Sequence, residues 1–101
     1  PGIGPNQALD ALFPPASMTG APKRRAMERI AQLERVGRGA YSGAMGYICP
    51  EGSAQFAVCI RGLAISQGEE RVTYHVGGAI TADSDPQAEY AETQLKAARL
   101  R

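Results

Sequence analysis

The sequence is poor in cysteine, histidine and aromatic residues, and it has no tryptophan. Of its 101 residues, two are cysteines and one is a histidine. Cys49 and Cys59 are too few for a disulfide framework, and inside apolar runs a free thiol behaves as a small hydrophobic group. His75 has no second histidine with which to form a metal cluster or a proton relay. These absences favour a reducing, cytoplasmic location.

The chain also lacks a strong charge of one sign and a long apolar run. Its net charge is +1, so nucleic acid is not an expected partner. No apolar run approaches about 18 residues and no signal-peptide pattern is present, so no membrane partner is expected. The length predicts one compact unit with a small core. The start at Pro1, without Met, is typical of a segment from within a longer protein.

Capping residues and prolines predict three helices. Asn6 is expected to cap the first, which Pro14 ends. The second is expected to begin with a cap at Ser17 or Thr19 and to run to Gly37. The third is expected to begin in the DSDP sequence at residues 83–86 and to run to about Leu100.

Between Ser42 and Val76 the spacing of apolar residues changes from the helical period to a period of two residues. Phe56, Val58 and Ile60 alternate with other residues, as in a strand with unlike faces. Glycine-containing turns at residues 50–52 and 67–69 predict three antiparallel strands. The expected fold is therefore α+β, an antiparallel sheet segment with flanking helices.

The last helix carries charged residues that could bind a metal ion and an anion. Glu89, Glu92 and Lys96 share one face because they are spaced three and four residues apart. Two carboxylates one turn apart can ligate Mg²⁺, and the lysine can hold a substrate carboxylate. A solvated charged face explains the same spacing.

Two further side chains are candidates for anion binding. Arg61 interrupts an otherwise apolar strand, and a guanidinium on a part-buried strand needs either an anionic substrate or an internal carboxylate. Tyr41 can direct its hydroxyl at an anion or can pack with that hydroxyl at the surface.

Backbone amides give two more candidates. Gly77 and Gly78 end a strand, where a bound group can approach the backbone closely, although a turn explains them equally well. The segment from Ser17 to Lys23 places hydroxyls and free amides at a helix start, which favours anions or is plain capping.

Taken together, these blocks resemble the signature motifs of the chorismate-utilising enzyme family. The blocks are TGAPK (19–23), RAME (25–28), RGAYSGAMGY (38–47), IR (60–61), ADSDP (82–86), EYAET (89–93) and Lys96. The resemblance covers nearly the whole chain and implies the C-terminal portion of a chorismate-binding catalytic domain, residues 1–101. The expected fold is then a fragment of the larger chorismate-binding enzyme fold.

The resemblance implies a role for each candidate residue. Glu92 would ligate the Mg²⁺ that binds the ring carboxylate of chorismate, with Glu89 as a further ligand, and Lys96 would stabilise the same carboxylate region. The remaining implied contacts to the substrate come from Ser17 near the ring, and from Tyr41, Arg61, Gly77 and Gly78 at the enolpyruvyl carboxylate. Ala79 departs from the glycine that many relatives carry, so its methyl group can crowd this last contact.

Within the family, the block around Ser17 is most similar to aminodeoxychorismate synthase component I, and next to anthranilate synthase component I. The implied reaction replaces the 4-hydroxyl of chorismate with an amino group on the route to para-aminobenzoate and folate. The implied partner is a glutamine amidotransferase subunit or domain that supplies ammonia.

The blocks for another metal-binding glutamate and a catalytic histidine are not visible, so no catalytic residue is assigned and little activity is expected from the chain alone. The alternative is a non-catalytic module that binds a small anion or a partner, and self-association is plausible.

Overall fold

The computed structural model describes residues 2–68 and 70–99, which contain four α-helices and four short β-strands. In chain order these are α1 (Pro5–Leu12), α2 (Ala16–Thr19), α3 (Lys23–Leu33), β1 (Ala44–Ile48), β2 (Ala54–Val58), β3 (Leu63–Ile65), β4 (Val72–Tyr74) and α4 (Pro86–Ala98). The antiparallel strand pairs and helices confirm the predicted α+β class. The chain divides into two compact units, Pro1–Ile60 and Arg61–Arg101, where the length predicted one.

Helix α1 begins two residues earlier than predicted, at Pro5 and not at Gln7. Gly4 is its N-cap, and the amide of Gly4 donates to Oε1 of Gln7 at 3.1 Å. Pro5 follows at the first helical position, where its fixed φ suits the helix and its missing N–H is not needed. The prediction that Asn6 is the cap is therefore wrong. The helix stops before Pro14, as expected.

The predicted second helix is two helices, α2 and α3. Gly20 separates them with a φ of 114°, which is open to glycine and strained for other residues. Neither Ser17 nor Thr19 caps α3, because both lie in α2 and the Thr19 hydroxyl donates back to the carbonyl of Pro15 at 3.1 Å. Pro22 is the N-cap of α3.

The strands form two separate antiparallel pairs, so the prediction of three strands is wrong. In the first pair Ala44 lies opposite Val58, and in the second Leu63 lies opposite Tyr74. Between the pairs, Arg61 has a φ of 56°, in the left-handed region that ends an extended strand. Strand β2 has already ended at Val58, and the amide of Ile60 donates to the carbonyl of Val58 at 3.0 Å, so β2 does not continue through the apolar run that the sequence shows.

Both hairpin turns lie where glycine predicted them. Gly52 and Gly68 have φ values of 90° and 84°. At the first turn the amide of Gly52 donates to the carbonyl of Cys49 at 2.9 Å. Glu69, in the second predicted turn, lies outside the described residues.

The alternation predicted for β2 is partly confirmed. Phe56 and Val58 are half-buried, whereas Ala57 between them is exposed. The strand ends at Val58, so Ile60 and Arg61 lie outside it and are both exposed. The expectation of a partly buried guanidinium within the strand is therefore wrong, because the chain leaves the sheet before reaching it.

Helix α4 begins where the sequence predicted. Oδ1 of Asp85 accepts a hydrogen bond from the amide of Ala88 at 2.9 Å, and Pro86 occupies the first helical position. The helix ends at Ala98, and the predicted end near Leu100 lies outside the described residues. The cap fixes which residues of α4 lie on each face.

The described residues lack the small core that the length predicted. No hydrophobic side chain among them is fully buried, and strand β1 is exposed along its whole length. Large apolar side chains that remain mostly exposed include Leu33, Met45, Ile65, Ile80 and Leu95. Among the helices of residues 2–68 and 70–99, none is both long and apolar enough to cross a membrane.

Candidate functional site

The predicted site residues lie in both units. Ser17 and Tyr41 belong to the Pro1–Ile60 unit. The Arg61–Arg101 unit contains the other six, which are Arg61, Gly77, Gly78, Glu89, Glu92 and Lys96. Each group is described within its own unit.

Arg38 organises the polar part of the first unit. Its Nη1 donates to the carbonyl of Met18 and to Oγ of Ser42, each at 2.9 Å. Its Nε and Nη2 donate to the two carboxylate oxygens of Glu34 at 2.8 and 2.6 Å. The hydrogen bond to Glu34 raises the pKa of Arg38, although partial burial opposes that shift. The guanidinium is therefore a fixed positive charge with four hydrogen bonds.

The same arginine connects the two predicted anion-binding blocks of this unit. The guanidinium carbon of Arg38 lies 5.7 Å from the centre of the Tyr41 ring, within the range of a cation–π contact. Met18, whose carbonyl Arg38 holds, directly follows Ser17 in α2. Ser17 itself is exposed. Arg38 therefore links the segment that carries Ser17 to the turn that carries Tyr41.

Sequence reasoning did not select Arg38 as a site residue. The available signal was Glu34, four residues earlier, which is the spacing of an ion pair on a helix. That spacing also occurs in the exposed pair of Arg24 and Glu28 on α3. The two pairs differ in burial, since the Arg38 side chain is 22% exposed and that of Arg24 is 94% exposed.

An open hollow of about 800 Å³ lies within the first unit. Its wall is mainly apolar, and Val36 contributes because α3 ends at Leu33 and the chain turns beyond it, short of the predicted stop at Gly37. The wall includes Leu9, Phe13, Met27, Ile30, Val36 and Tyr41, with charged groups from Asp10, Glu34 and Arg38. The hollow suits an apolar group better than a small dianion, because Asp10 and Glu34 add negative charge to its wall and Glu34 already pairs with Arg38.

In the second unit, Lys96 lies between a carboxylate and a backbone carbonyl. Its Nζ is 2.6 Å from Oε1 of Glu92 and donates to the carbonyl of Gly77 at 3.2 Å. The side chains of Glu92 and Lys96 are 55% and 43% exposed. Both charged groups are therefore open to solvent and close to Gly77, shortly after β4. Because β4 ends at Tyr74, Gly77 and Gly78 lie beyond the strand, and the expectation that they end it is wrong.

Glu89 and Gly78 also lie together in the second unit. A Cβ at Gly78 would lie 3.0 Å from Oε2 of Glu89 and 3.4 Å from Oγ1 of Thr93, so α4 approaches the backbone closely there. The other oxygen of Glu89, Oε1, accepts from the Ser84 hydroxyl at 3.3 Å. The structure thus brings Gly77, Gly78, Glu89, Glu92 and Lys96 to one side of α4.

Arg61 is not joined to this group by a polar contact. Its side chain is exposed, and no other described residue of the Arg61–Arg101 unit forms a salt bridge or hydrogen bond with it. The internal Asp or Glu partner that the sequence left open is therefore not found there.

The donor chemistry of Glu89 and Glu92 fits a magnesium ion. Mg²⁺ is commonly held by one or two carboxylates, with water and anionic substrate oxygens completing the coordination. Within residues 2–68 and 70–99, no group of three or more His, Cys, Asp or Glu residues is close enough to hold a metal. Two carboxylates from α4 would therefore need oxygen ligands from elsewhere.

The sequence matches one protein family along its whole length. Residues 1–101 match the profile of the chorismate binding enzyme family. The chain belongs to the family of chorismate-binding enzymes. This confirms the resemblance carried by the motifs from TGAPK at 19–23 to Lys96.

Individual relatives include two kinds of synthase. An aminodeoxychorismate synthase of Streptomyces griseus is 49% identical over 96 residues, which is 95% of this chain and 13% of the relative. Anthranilate synthase component 1 of Streptomyces coelicolor is 47% identical over 92 residues, 88% of this chain and 18% of the relative. Anthranilate synthase component 1 2 of Haloarcula marismortui is 46% identical over 91 residues, 88% of this chain and 17% of the relative. The chain thus spans less than a fifth of the length of these three relatives.

Proposed function

We propose that this chain is part of an aminodeoxychorismate synthase, which aminates chorismate to 4-amino-4-deoxychorismate for para-aminobenzoate and folate synthesis. Family membership and 49% identity to the Streptomyces griseus enzyme support this proposal. The motifs from TGAPK at 19–23 to Lys96, together with the match of residues 1–101 to the family profile, support its assignment as the C-terminal portion, residues 1–101, of a chorismate-binding catalytic domain.

The observation that carries the proposal is the arrangement of α4. Its half-buried and exposed charged groups, Glu89, Glu92 and Lys96, stand beside the Gly77–Gly78 backbone. In the proposed role, Glu92 and Glu89 hold Mg²⁺, which when bound neutralises the ring carboxylate of chorismate and polarises the ring. Lys96 supplies a positive charge to the same carboxylate.

The remaining site residues would bind the other end of the substrate. We propose that Arg61 forms a bidentate contact with the enolpyruvyl carboxylate, because its exposed guanidinium is not engaged by a described residue of its unit. The family resemblance assigns Tyr41 and the amides of Gly77 and Gly78 to the same carboxylate. Ser17 lies near the ring. A dianionic substrate requires such positive and N–H groups to converge.

The chain is proposed to work only as part of a larger assembly. A glutamine amidotransferase subunit or domain supplies the ammonia, and the location is cytoplasmic. The other metal-binding glutamate and the catalytic histidine of the family are supplied by residues outside this chain. The exposed strands and apolar side chains favour association of the isolated chain with itself.

Calorimetric titration of chorismate into the chain, with and without Mg²⁺, tests this site. We expect binding that needs Mg²⁺ and that weakens at least tenfold in Glu92→Gln and in Arg61→Ala, because each loses a charged contact of more than about 1.4 kcal/mol. Glu28→Gln is the matched control, since Glu28 is also an exposed helical glutamate in an i,i+4 ion pair. Equal binding by Glu92→Gln and Glu28→Gln would contradict the proposal.

The second candidate is anthranilate synthase component I. Anthranilate synthases match this chain at 44–47% identity, only slightly below the aminodeoxychorismate synthases at 48–49%. Incubating the full-length natural protein that carries this chain with chorismate, ammonium and Mg²⁺ separates the two. The mass of the product distinguishes aminodeoxychorismate from anthranilate. Binding of chorismate without any product would favour the third reading, a non-catalytic anion-binding module.

A further inference from the structure

The ion pair on α4 uses the carboxylate that is proposed to bind the metal. Lys96 Nζ is 2.6 Å from Oε1 of Glu92, so a cation at Glu92 and the ammonium group compete for the same oxygen atoms. We propose that Lys96 is a switch: it neutralises Glu92 while the metal is absent and turns to the anionic substrate when the metal is bound. This inference rests on the proposed function and adds to it the order in which Lys96 changes partners.

The geometry of Lys96 suits such a switch. Its ammonium group has three donors, and Glu92 is one of the two partners described for it. The other is the carbonyl of Gly77 at 3.2 Å, and this bond does not involve the metal ligands. The ammonium group of Lys96 can therefore leave Glu92 and stay hydrogen-bonded to the carbonyl of Gly77.

The ion pair is also weak enough to be displaced. Glu92 and Lys96 are both about half exposed, and they have the i,i+4 spacing of pairs that contribute little to helix stability in water. A divalent cation carries twice the charge of the ammonium group. Separating the carboxylate from the ammonium group therefore costs little free energy.

The charges of Glu89, Glu92 and Lys96 determine how the switch affects substrate binding. Without a metal, Glu89 and Glu92 carry two negative charges against one positive charge on Lys96, which disfavours a dianion. With Mg²⁺ bound, the carboxylates are neutralised and Lys96 adds its charge to the substrate side. Metal and substrate therefore bind with positive coupling, and linkage requires that each raises the affinity of the other by the same factor.

The test is a calorimetric titration of MgCl₂ into the chain, with and without saturating chorismate. Lys96→Met is expected to bind Mg²⁺ about two- to fivefold more tightly than the wild type when chorismate is absent, because the competing ammonium is gone. It is also expected to lose most of the gain in Mg²⁺ affinity that chorismate produces in the wild type. Arg99→Met is the control, since Arg99 follows α4 directly and forms no ion pair with the residues that the structure describes.

A second measurement follows the lysine itself. In NMR spectra of the chain, the Lys96 side-chain signal is expected to shift when Mg²⁺ is added to the wild type and to remain unchanged in Glu92→Gln. A merely structural role for Lys96 would not produce this dependence on Glu92.

The possible outcomes test the switch and the proposed function separately. If Lys96→Met and Arg99→Met change Mg²⁺ affinity equally, or if Lys96→Met retains the full coupling to chorismate, the switch is wrong although Glu92 can still be a ligand. If wild type and Glu92→Gln bind Mg²⁺ equally, the metal assignment in the proposed function is wrong as well. Absence of Mg²⁺ binding together with retained chorismate binding would overturn the switch and leave only an anion site.

Discussion

The two units use charged side chains in opposite ways. In the Pro1–Ile60 unit, the Arg38 side chain is 22% exposed and holds together Glu34, Met18 and Ser42. In the Arg61–Arg101 unit, the ion pair of Glu92 and Lys96 is about half exposed and makes one further bond, to the backbone. Both pairs have the same i,i+4 spacing, so burial and additional partners decide what each pair does. The first is structural, and the second remains free to exchange partners.

Glycine also differs between the units. At Gly46 in β1, an added Cβ would overlap the backbone carbonyl oxygen of Gln55 and the ring of Phe56 on β2. At Gly78, the nearest atom would be the carboxylate of Glu89, at the end of a flexible side chain. The first contact cannot yield without moving the hairpin, whereas the second can yield by rotation of a side chain. The same substitution should therefore have unequal effects in the two units.

The largest effect is expected for Gly46→Ala. Its methyl group should force β1 and β2 apart and lower the free energy of unfolding by about 3 kcal/mol, at the upper end of what overpacking usually costs. Urea denaturation followed by circular dichroism measures this. Gly37→Ala is the control, because no atom lies within 4 Å of a Cβ built there and the change should be within about 0.5 kcal/mol. Similar stabilities for the two variants would show that the hairpin is not closely packed at Gly46.

A smaller loss is expected for Arg38→Gln. The change removes the bonds to Met18 and Glu34 and leaves the hydroxyl of Ser42, which is only 4% exposed, without its donor. Leaving a buried polar group unpaired costs about 2 kcal/mol. Arg24→Gln breaks an exposed pair of equal spacing and should cost at most about 0.5 kcal/mol. Equal losses in the same urea experiment would refute the distinction between structural and exposed pairs.

The smallest effect is expected for Gly78→Ala. Its Cβ would lie 3.0 Å from Oε2 of Glu89, and rotation of that side chain should limit the loss of stability to about 1 kcal/mol. The control in the same unit is Gly62→Ala, where a Cβ meets no atom within 4 Å. Differential scanning calorimetry of the two variants gives the comparison. A loss as large as that of Gly46→Ala would mean that Glu89 is held rigidly.

The sequence predicted those features that depend on neighbouring residues. The start of α4 follows from Asp85 and Pro86, whose capping geometry is set within one turn of the helix. The common face of Glu89, Glu92 and Lys96 follows from helix periodicity alone. Both hairpin turns were visible because glycine permits their positive φ values.

Features that depend on distant contacts or on subtle backbone choices were not predictable. The chain breaks at Arg61, an arginine with positive φ, and no residue type at that position signals the break between two strand pairs. Arg38 reaches the carbonyl of Met18, which is 20 positions away in the chain, and periodicity carries no information about such a bond. The division of the predicted second helix was visible only in Gly20, which the capping pattern of Ser17 and Thr19 outweighed.

The Asp85 cap has a consequence for how this segment can change in length. The cap fixes the rotation of α4, and each residue of an α-helix advances the side chains by about 100° around its axis. A single residue inserted between Pro86 and Glu89 would keep every charge in the sequence but would swing Glu89, Glu92 and Lys96 away from the Gly77–Gly78 backbone. We therefore expect an insertion before Asp85 to disturb this arrangement less than one between Asp85 and Lys96.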